Sequence, residues 1–336
     1  MNIREKQEQS EKTLLSSCAA LSTNTRGRKK PEVECEIRTC FQRDRDRILH
    51  SKAFRRLKDK TQVFLSPQGD HYRTRLTHTL EVSQNARTIA RALDLNESLT
   101  EAIALGHDLG HTPFGHAGEH ALNELNPLGF RHNIQSVRVA QYLEKGGKGL
   151  NLTWEVLDGM ENHSTHSNPS TLEGKVVRLA DKIAYINHDI DDSIRAKVIR
   201  EEDLPKEYTD ILGNTVRERI NTMILDIVNH SEHMDDIFMS EEVHNAMFGL
   251  RRFMFENVYK NKDTKREEKK INHIIEPLFE HYLYHMEELP KYNIRRVEQE
   301  GETKEQAVCD YIAGMTDHYA VETYKEIFIP KFWIEK

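Results

Sequence analysis

The sequence has few glycines, prolines and cysteines and no long hydrophobic run, and each shortage excludes a class of protein. Its 336 residues include only 16 glycines and 9 prolines, too few for the many turns of an all-β fold. No apolar run reaches about 18 residues, so no transmembrane helix is expected. The charged first residues lack a hydrophobic stretch, so we expect no secretory signal. The four cysteines fit neither a zinc spacing nor a disulfide framework, and we expect reduced thiols in a cytoplasmic protein.

Charge is distributed unevenly along the chain. The formal net charge of -7 argues against a dedicated nucleic-acid-binding protein. Between Arg26 and Lys60, however, 13 lysines and arginines accompany 6 acidic residues. This basic segment favours contact with a polyanion, either a triphosphate or a nucleic acid. A solvated face with local ion pairs explains the same composition, and the sequence leaves both interpretations open.

Residues 104–120 concentrate groups that titrate or bind metals. This stretch, ALGHDLGHTPFGHAGEH, holds four histidines and two carboxylates. His107 and Asp108 follow apolar residues at helical spacing, so we predict that they lie on the last turn of a buried helix. His111 comes four residues after His107, which places both imidazoles on one face while the helix lasts. Because a solvated surface has no need of so many such groups, the stretch predicts a site.

Two further predicted helices carry polar groups on or beside an apolar face. His78 lies on the apolar stripe of a helix predicted from Arg73 to Leu95. An inward histidine by itself is more often a satisfied core residue than a ligand. The segment from Glu173 to Ser193 is apolar around most of its circumference, so its single polar line faces either a site or water. That line comprises Asp181, Tyr185, His188, Asp189 and Asp192.

The remaining pattern is mostly helical as well. Residues 38–63 have apolar positions at helical spacing and precede a turn at Ser66 to Asp70. Several helices are predicted over residues 201–290, with a charged loop from Asn261 to Lys270, and a final helix includes residues 307–320.

Three separated helical segments thus offer His78, His107 with Asp108, and Asp181 as metal ligands. Two imidazoles and two carboxylates form a mixed nitrogen and oxygen site, which suits Mn²⁺, Fe²⁺, Mg²⁺ or Ni²⁺. Four protein ligands leave open positions on a six-coordinate metal for water and a substrate oxygen.

The order H…HD…D is the signature of the HD superfamily of metal-dependent phosphohydrolases. Longer segments, which span nearly the whole chain, resemble the bacterial deoxyguanosine-triphosphate triphosphohydrolase-like family. They are QRDRDRILHSKAFRRLKDKTQVF (Gln42 to Phe64), RTRLTHTLEV (Arg73 to Val82), HDLGHTPFGHAGE (His107 to Glu119), FRHNIQS (Phe130 to Ser136) and DYIAGMTDHYA (Asp310 to Ala320).

The resemblance implies a fold and an activity. The expected fold is an all-α HD domain with additional C-terminal helices. It forms one domain over residues 1–336, with a metal-binding core at about 60–200 and a helical extension at about 201–336. The expected activity is hydrolysis of dGTP or another deoxynucleoside triphosphate (dNTP) at the α-phosphate, giving deoxynucleoside and tripolyphosphate.

The resemblance also implies roles for individual residues. The metal-ligand positions are those of His78, His107, Asp108 and Asp181. The catalytic positions, a histidine with its supporting carboxylate and a further active-site histidine, are those of His116, Glu119 and His111. The substrate-binding positions, some of them matched in eukaryotic dNTP-hydrolysing relatives, are Gln62, Arg75, His132, Lys182, Tyr185, Asp189, Arg251 and Tyr259. We expect Asp189 to bond the sugar 3′-hydroxyl and Tyr185 to leave no room for a 2′-hydroxyl.

Cofactors and partners follow from the same resemblance. Mn²⁺ or Mg²⁺ is the expected cofactor, with Fe²⁺, Ni²⁺ and Zn²⁺ as alternatives. Family members tend to form homo-oligomers, hexamers or tetramers, and some need a dNTP as activator. Modulation by single-stranded DNA through the basic segment is a further hypothesis, and no membrane partner is expected.

Two alternative functions stay open. Another HD phosphohydrolase, a nucleotidase or a phosphodiesterase, would use the same metal ligands, but HTPFGHAGE and AGMTD are not general features of the superfamily. A non-catalytic nucleotide-binding regulator normally lacks a ligand or the catalytic histidine, whereas all of them are present in this sequence.

Overall fold

The structure, a computed structural model, describes residues 1–62, 73–165, 167–232, 235–259 and 262–331. Within these ranges the chain is helical and has no β-strand, only two isolated β-bridges, which confirms the all-α prediction. No helix among these residues combines the length and the apolar character that a membrane span requires. The predicted turn at Ser66 to Asp70 and the side chain of Tyr259 lie outside the described part of the chain.

The helices of the N-terminal half include those that carry the site. In chain order they are α1 (Ile3–Leu14), α2 (Cys40–Leu49), α3 (Lys52–Arg56), α4 (Arg75–Ala92), α5 (Glu97–Gly106), α6 (Gly115–Leu125), α7 (His132–Arg138), α8 (Trp154–Glu161) and α9 (Leu172–Arg195). The helical pattern over 38–63 is interrupted, because α2 ends at Leu49 and Ser51 caps the start of α3 by accepting a hydrogen bond from the Phe54 amide.

The C-terminal half adds seven more helices in the described ranges. They are α10 (Lys206–Leu212), α11 (Val216–Ser231), α12 (Glu241–Met254), α13 (Lys262–Tyr284), α14 (Lys291–Glu300), α15 (Lys304–Ala313) and α16 (Asp317–Phe328). The predicted charged loop at 261–270 is wrong, because α13 already begins at Lys262. The predicted final helix over 307–320 is divided, since Thr316 caps a new helix through the Tyr319 amide. Short π-helical segments, Val139–Leu143 and Phe255–Tyr259, follow α7 and α12.

Side-chain caps fix where the three site helices begin. Thr74, Asn96 and Thr171 each accept a hydrogen bond from an amide in the first turn of α4, α5 and α9. Such a cap typically contributes about 1 kcal/mol to helix stability. The caps also set the register of the helices, which determines the face on which His78 and Asp181 project.

Two hydrophobic cores lie on either side of the histidine-rich segment. The first packs α2, α4, α5 and α9 together, and residues of α11 and α12 extend it. The second packs α6 against α13, which also packs against α15 and α16. Because residues 107–114 connect α5 in the first core to α6 in the second, the segment lies where the cores meet. The proposed division near residue 200 stays a prediction, although α11 and α12 belong to the first core.

Candidate active site

Three elements bring the four predicted metal ligands together. His78 projects from α4 and Asp181 from α9, and His107 and Asp108 directly follow the last residue of α5. The His78 Nε2 lies 3.1 Å from Asp181 Oδ1. The His107 Nε2 lies 3.7 Å from the same oxygen and 3.6 Å from Asp108 Oδ1. Helix α5 therefore ends one residue before the predicted pair, but the pair occupies the position that the site requires.

These separations fit ligands of one cation. Ligand atoms about 2.1 Å from a metal lie about 3.0 Å apart at 90° and about 3.6 Å apart at 120°. The His107 Nδ1 is 2.7 Å from the Ala104 carbonyl oxygen and so donates its proton there. Its Nε2 consequently carries a lone pair, and this buried atom has no hydrogen-bond partner among the described residues. A buried ring nitrogen with a free lone pair, between two carboxylates, suits a divalent metal.

Electrostatics keep both carboxylates ionised. Burial opposes ionisation of Asp108, but the surrounding His107 and Arg75 hold its pKa well below the usual range. Burial likewise opposes ionisation of Asp181, and the hydrogen bond with His78 outweighs it and lowers the pKa of Asp181. Arg75, predicted to contact substrate, donates to Asp108 Oδ2 at 2.7 Å, with both side chains buried. In this structure its charge is opposite to that of one predicted metal ligand and neutralises it.

Glu119 is the centre of a second group of polar residues. Its carboxylate accepts the His132 amide at 2.8 Å and lies 2.9 and 3.0 Å from His132 Nδ1. His116 Nδ1 is farther away, at 3.4 Å, and the His116 side chain is 81% exposed. Burial raises the pKa of Glu119, yet the bonds with His116 and His132 outweigh it and leave the pKa far below normal. The predicted pair of His116 and Glu119 is thus in contact, but His116 lies at the surface and His132 is the main partner of the carboxylate.

His111 belongs to this second group and not to the metal-ligand set. It does not continue the helical face of His107, because Ser136 of α7 accepts the Gly110 amide and donates to the His107 carbonyl. A Cβ on Gly110 would lie 2.2 Å from the Ser136 nitrogen, so this close approach requires glycine. Neither ring nitrogen of His111 has a hydrogen-bond partner among the described residues. Burial is the main cause that lowers the pKa of His111 well below its usual value, and the positive charge of Arg75 adds to it. The ring is therefore neutral.

The two groups are joined by a continuous row of imidazoles. Successive ring centroids are 5.5, 4.8, 5.3, 5.0, 5.7 and 5.7 Å apart along the row His116, His111, His132, His163, His107, His78 and His188. His163 connects the groups, and the sequence did not identify it. The available signal was its place shortly after the short helix α8, which alone predicts nothing about ligation.

The polar line of α9 continues along the helix from the predicted ligand Asp181. Tyr185 and Asp189 follow Asp181 at successive turns of the helix. Burial and the neighbouring Asp192 raise the pKa of Asp189 well above normal. Burial also raises the pKa of Tyr185, and the nearby Arg251 opposes that shift. Asp189 and Asp192 of this line are buried and Asp181 and Tyr185 are partly buried, and the functional interpretation of the line stays a prediction.

The other predicted substrate contacts are placed as follows. The Lys182 ammonium lies 5.8 Å and the Arg251 guanidinium 5.9 Å from the centre of the Phe248 ring. Burial lowers the pKa of Lys182 to about 8. Gln62 is buried, its Oε1 has no hydrogen-bond partner in the described ranges, and its carbonyl oxygen borders Gly115 at the start of α6. Tyr259 cannot be placed, because its side chain is not described.

Five of the eight arginines of the basic segment are engaged in ion pairs. Arg28 contacts Glu32 and Asp44, and Arg47 donates to Glu32. Arg38 and Arg43 also contact carboxylates within the segment, and Arg45 contacts Asp46 as well as Glu101 outside it. A cleft of about 510 Å³ between α2 and α4 is lined by some of these groups and lies apart from the histidine row. The ion-pair interpretation accounts for these five side chains.

Comparisons with known proteins match the whole chain. An HD domain matches residues 75–186, and a phosphohydrolase-associated domain matches residues 237–326. A "deoxyguanosinetriphosphate triphosphohydrolase-like protein" of Caldanaerobacter subterraneus subsp. tengcongensis is 59% identical over 336 residues, covering 100% of this chain and 98% of the relative. One of Clostridium perfringens (strain SM101) is 54% identical, covering 99% of each chain. Among solved structures, a hypothetical protein from Aquifex aeolicus shares 17% identity at a TM-score of 0.46, covering 86% of this chain and 68% of that one.

Proposed function

The chain is an HD-domain phosphohydrolase of the deoxyguanosinetriphosphate triphosphohydrolase-like family, and we propose that it hydrolyses dNTPs, with dGTP among its substrates, to deoxynucleoside and tripolyphosphate. The observation that carries the proposal is the position of the Glu119 group. The histidines of this group form one end of the imidazole row, which begins at the solvent-exposed His116. From there the row leads to the metal-ligand set.

The reaction requires groups that move protons at the phosphorus. Water attacks the α-phosphorus and gives up a proton, and the bond between this phosphorus and the 5′-oxygen breaks. The 5′-oxygen takes up a proton, so the products are the deoxynucleoside and tripolyphosphate. A divalent cation held by His78, His107, Asp108 and Asp181 would supply a Lewis acid for the phosphate. His116 contacts Glu119 through Nδ1 and leaves Nε2 for proton exchange, and such general acid–base catalysis contributes about 10²–10⁴-fold.

Cationic side chains supply the expected phosphate contacts. Lys182 and Arg251 flank one ring, Phe248, and form a positively charged wall beside the polar line of α9. Arg75 lies next to the metal ligands and would exchange its bond with Asp108 for one to a phosphate oxygen. The carboxyl of Asp189, whose pKa is raised by burial, would accept a hydrogen bond from the sugar 3′-hydroxyl.

Anion-exchange chromatography tests the proposal. The purified protein is incubated with each of the four dNTPs, alone and in pairs, with Mn²⁺ or Mg²⁺. We expect tripolyphosphate from the wild type and none from His116→Ala. His120→Ala is the matched control, because His120 lies on the same helix, is 69% exposed and contacts only Glu124 among the described residues.

The other outcomes identify the alternative functions. Stepwise release of single phosphates would indicate a nucleotidase. A protein that binds metal and nucleotide but turns over no dNTP, alone or in pairs, would be a regulator. Tripolyphosphate production that persists in His116→Ala would contradict the assigned role of that residue.

A further inference from the structure

Arg178 lies on the face of α9 that carries the expected substrate-binding positions. The next residues of this face, Lys182, Tyr185 and Asp189, follow Arg178 at successive turns of the helix. At 100° per residue the four side chains project within about 60° of one another. Arg178 also lies about 4.5 Å along the helix axis before the predicted ligand Asp181, on the side away from Tyr185 and Asp189. It therefore extends the face beyond the metal-ligand set.

The guanidinium of Arg178 has no carboxylate partner among the described residues. Its Nη1 donates to the carbonyl oxygen of Ser167, and its Nε is buried without a hydrogen-bond partner. The nearby Asp236 is bonded instead to Lys175, at 2.7 Å. Burial lowers the pKa of Arg178, but an arginine stays charged at neutral pH. This partly buried cation is thus left without a counter-ion.

Arg178 belongs to a cluster of three cations with Lys182 and Arg251. Burial is the main cause that lowers the pKa of Lys182, and the charges of Arg178 and Arg251 lower it further, against the effect of Asp181. Lys182 and Arg251 share the ring of Phe248. In the described ranges none of the three cations forms an ion pair, in contrast to the arginines of the basic segment. Because the three charges repel one another, a polyanion bound between them would stabilise the cluster.

We propose that Arg178 binds the terminal phosphate of the triphosphate chain and so makes the site select three phosphates over two. The inference rests on the proposed function, in which the α-phosphate lies at the metal-ligand set that includes Asp181. With the sugar over Tyr185 and Asp189, the β- and γ-phosphates extend in the opposite direction along α9, toward Arg178. A guanidinium offers two parallel N–H donors to one phosphate group, and the Nε of Arg178 is available as one of them.

Isothermal titration calorimetry tests the contact with inorganic probes that differ by one phosphate. The full-length protein, in a buffer of fixed Mg²⁺ concentration, is titrated with tripolyphosphate and with pyrophosphate. We expect Arg178→Gln to weaken tripolyphosphate binding by about 10-fold or more, equivalent to at least about 1.4 kcal/mol, and pyrophosphate binding by less than about 2-fold. Arg178→Lys retains the charge and should recover part of the loss. Arg195→Gln, a half-exposed change at the other end of the same helix, removes the same charge and should bind both probes as the wild type does.

Steady-state kinetics give a second readout in which the nucleoside fixes the position of the phosphate chain. We expect Arg178→Gln to raise the KM for dGTP by about 10-fold or more and to leave the inhibition constant of dGDP, used as a competitor, within about 2-fold. Thermal melts confirm that each variant is folded.

Three outcomes would overturn the proposal. In the first, the wild type binds tripolyphosphate no more tightly than pyrophosphate. In the second, Arg178→Gln binds tripolyphosphate as tightly as the wild type. In the third, Arg178→Gln weakens both probes equally, which would reduce Arg178 to a general source of positive charge. If the wild type nevertheless releases tripolyphosphate from a dNTP, the proposed function stands and only the role of Arg178 fails. If it releases none while the calorimetric difference is found, the proposed function fails and the contact with a terminal phosphate stands.

Discussion

The carboxylate of Asp317 accepts a hydrogen bond from the backbone amide of Phe114 at 2.9 Å. Its second oxygen accepts the Thr61 amide at 3.0 Å and the Thr61 hydroxyl. Phe114 has a φ of 62°, a left-handed conformation that costs a non-glycine residue about 1–2 kcal/mol. It immediately precedes α6, which carries His116 and Glu119. The first residue of α16 thus holds the start of the helix that presents the proposed catalytic residues.

We expect Asp317→Ala to lower kcat without lowering metal content. Loss of hydrogen bonds to a charged acceptor costs about 1.5–3 kcal/mol each and frees Phe114 to leave its strained conformation. A displacement of α6 by about 1 Å is enough to reduce turnover about 100-fold. Steady-state hydrolysis and metal analysis measure the two quantities. Glu322→Ala, an exposed change on the same helix, is the control. If turnover in Asp317→Ala equals that of the control, the carboxylate does not position α6.

The sequence predicted which side chains lie together better than it predicted the backbone around them. His78 could be assigned to the inward face of its helix because that helix has a clear apolar period, whereas the pattern around Asp181 left a site and water as alternatives. The end of α5 at Gly106 and the separation of His111 from His107 depend on Ser136, which is distant in sequence. Helical periodicity carries no information about such a contact.

Two residues that shape the site, His163 and Asp317, could not be recognised as such from the sequence. His163 follows a short helix, and its orientation depends on a hydrogen bond from its ring to the Met160 carbonyl. A backbone carbonyl is present at every position, so the sequence carries no trace of this bond. Asp317 lies in the AGMTD segment quoted for the family resemblance, but its contact with Phe114 joins residues 203 positions apart. Pairings across that distance are fixed by the packing of α6 against the C-terminal helices, which only the fold shows.

Metal binding is expected to stabilise the fold, and Asp181→Asn to abolish most of that effect. At a free cation concentration about 100 times the dissociation constant, a bound ion adds about 2.7 kcal/mol. Replacing an ionised ligand by a neutral amide removes one charge from the set that faces the cation. Calorimetric melts with Mn²⁺ and with a chelator measure the difference in Tm. Asp210→Asn, on the exposed face of α10, is expected to retain the full wild-type shift. Equal shifts in the two variants would exclude Asp181 as a ligand.

Glu173 is expected to make stability depend on pH. It is completely buried and accepts the amides of Ala20 and Asn96 at 3.0 Å through one oxygen. Burial raises its pKa above the unfolded value of about 4.3. Between the unfolded and folded pKa values the native state therefore holds a proton that the unfolded chain has lost. The contribution of this group to the free energy of unfolding consequently falls as pH rises through that window.

The Glu173→Gln variant isolates this contribution. A neutral amide of the same size does not titrate, so the free energy of unfolding of the wild type minus that of the variant should decline from about pH 4 upward. Urea denaturation at closely spaced pH values measures the difference. Glu242→Gln, an exposed change on α12, should give a curve parallel to the wild type. A Glu173→Gln curve that is equally parallel would show that the carboxyl titrates normally in the folded protein.

Tyr185 is expected to select deoxyribose over ribose by occupying the space of a 2′-hydroxyl. It lies on α9 one turn after the metal ligand Asp181 and one turn before Asp189, the proposed partner of the 3′-hydroxyl. A sugar that reaches Asp189 from a phosphate at the metal must pass over this ring. Tyr185→Ala should therefore lower the ratio of kcat/KM for dGTP over GTP by about 10-fold or more, equivalent to at least about 1.4 kcal/mol of lost discrimination.

Tyr185→Phe retains the ring and should preserve the ratio, which separates the volume of the side chain from its hydroxyl. Parallel assays with dGTP and GTP decide between these outcomes. An unchanged ratio in Tyr185→Ala would place the sugar elsewhere, and a loss in Tyr185→Phe equal to that in Tyr185→Ala would assign the selectivity to a hydrogen bond of the hydroxyl.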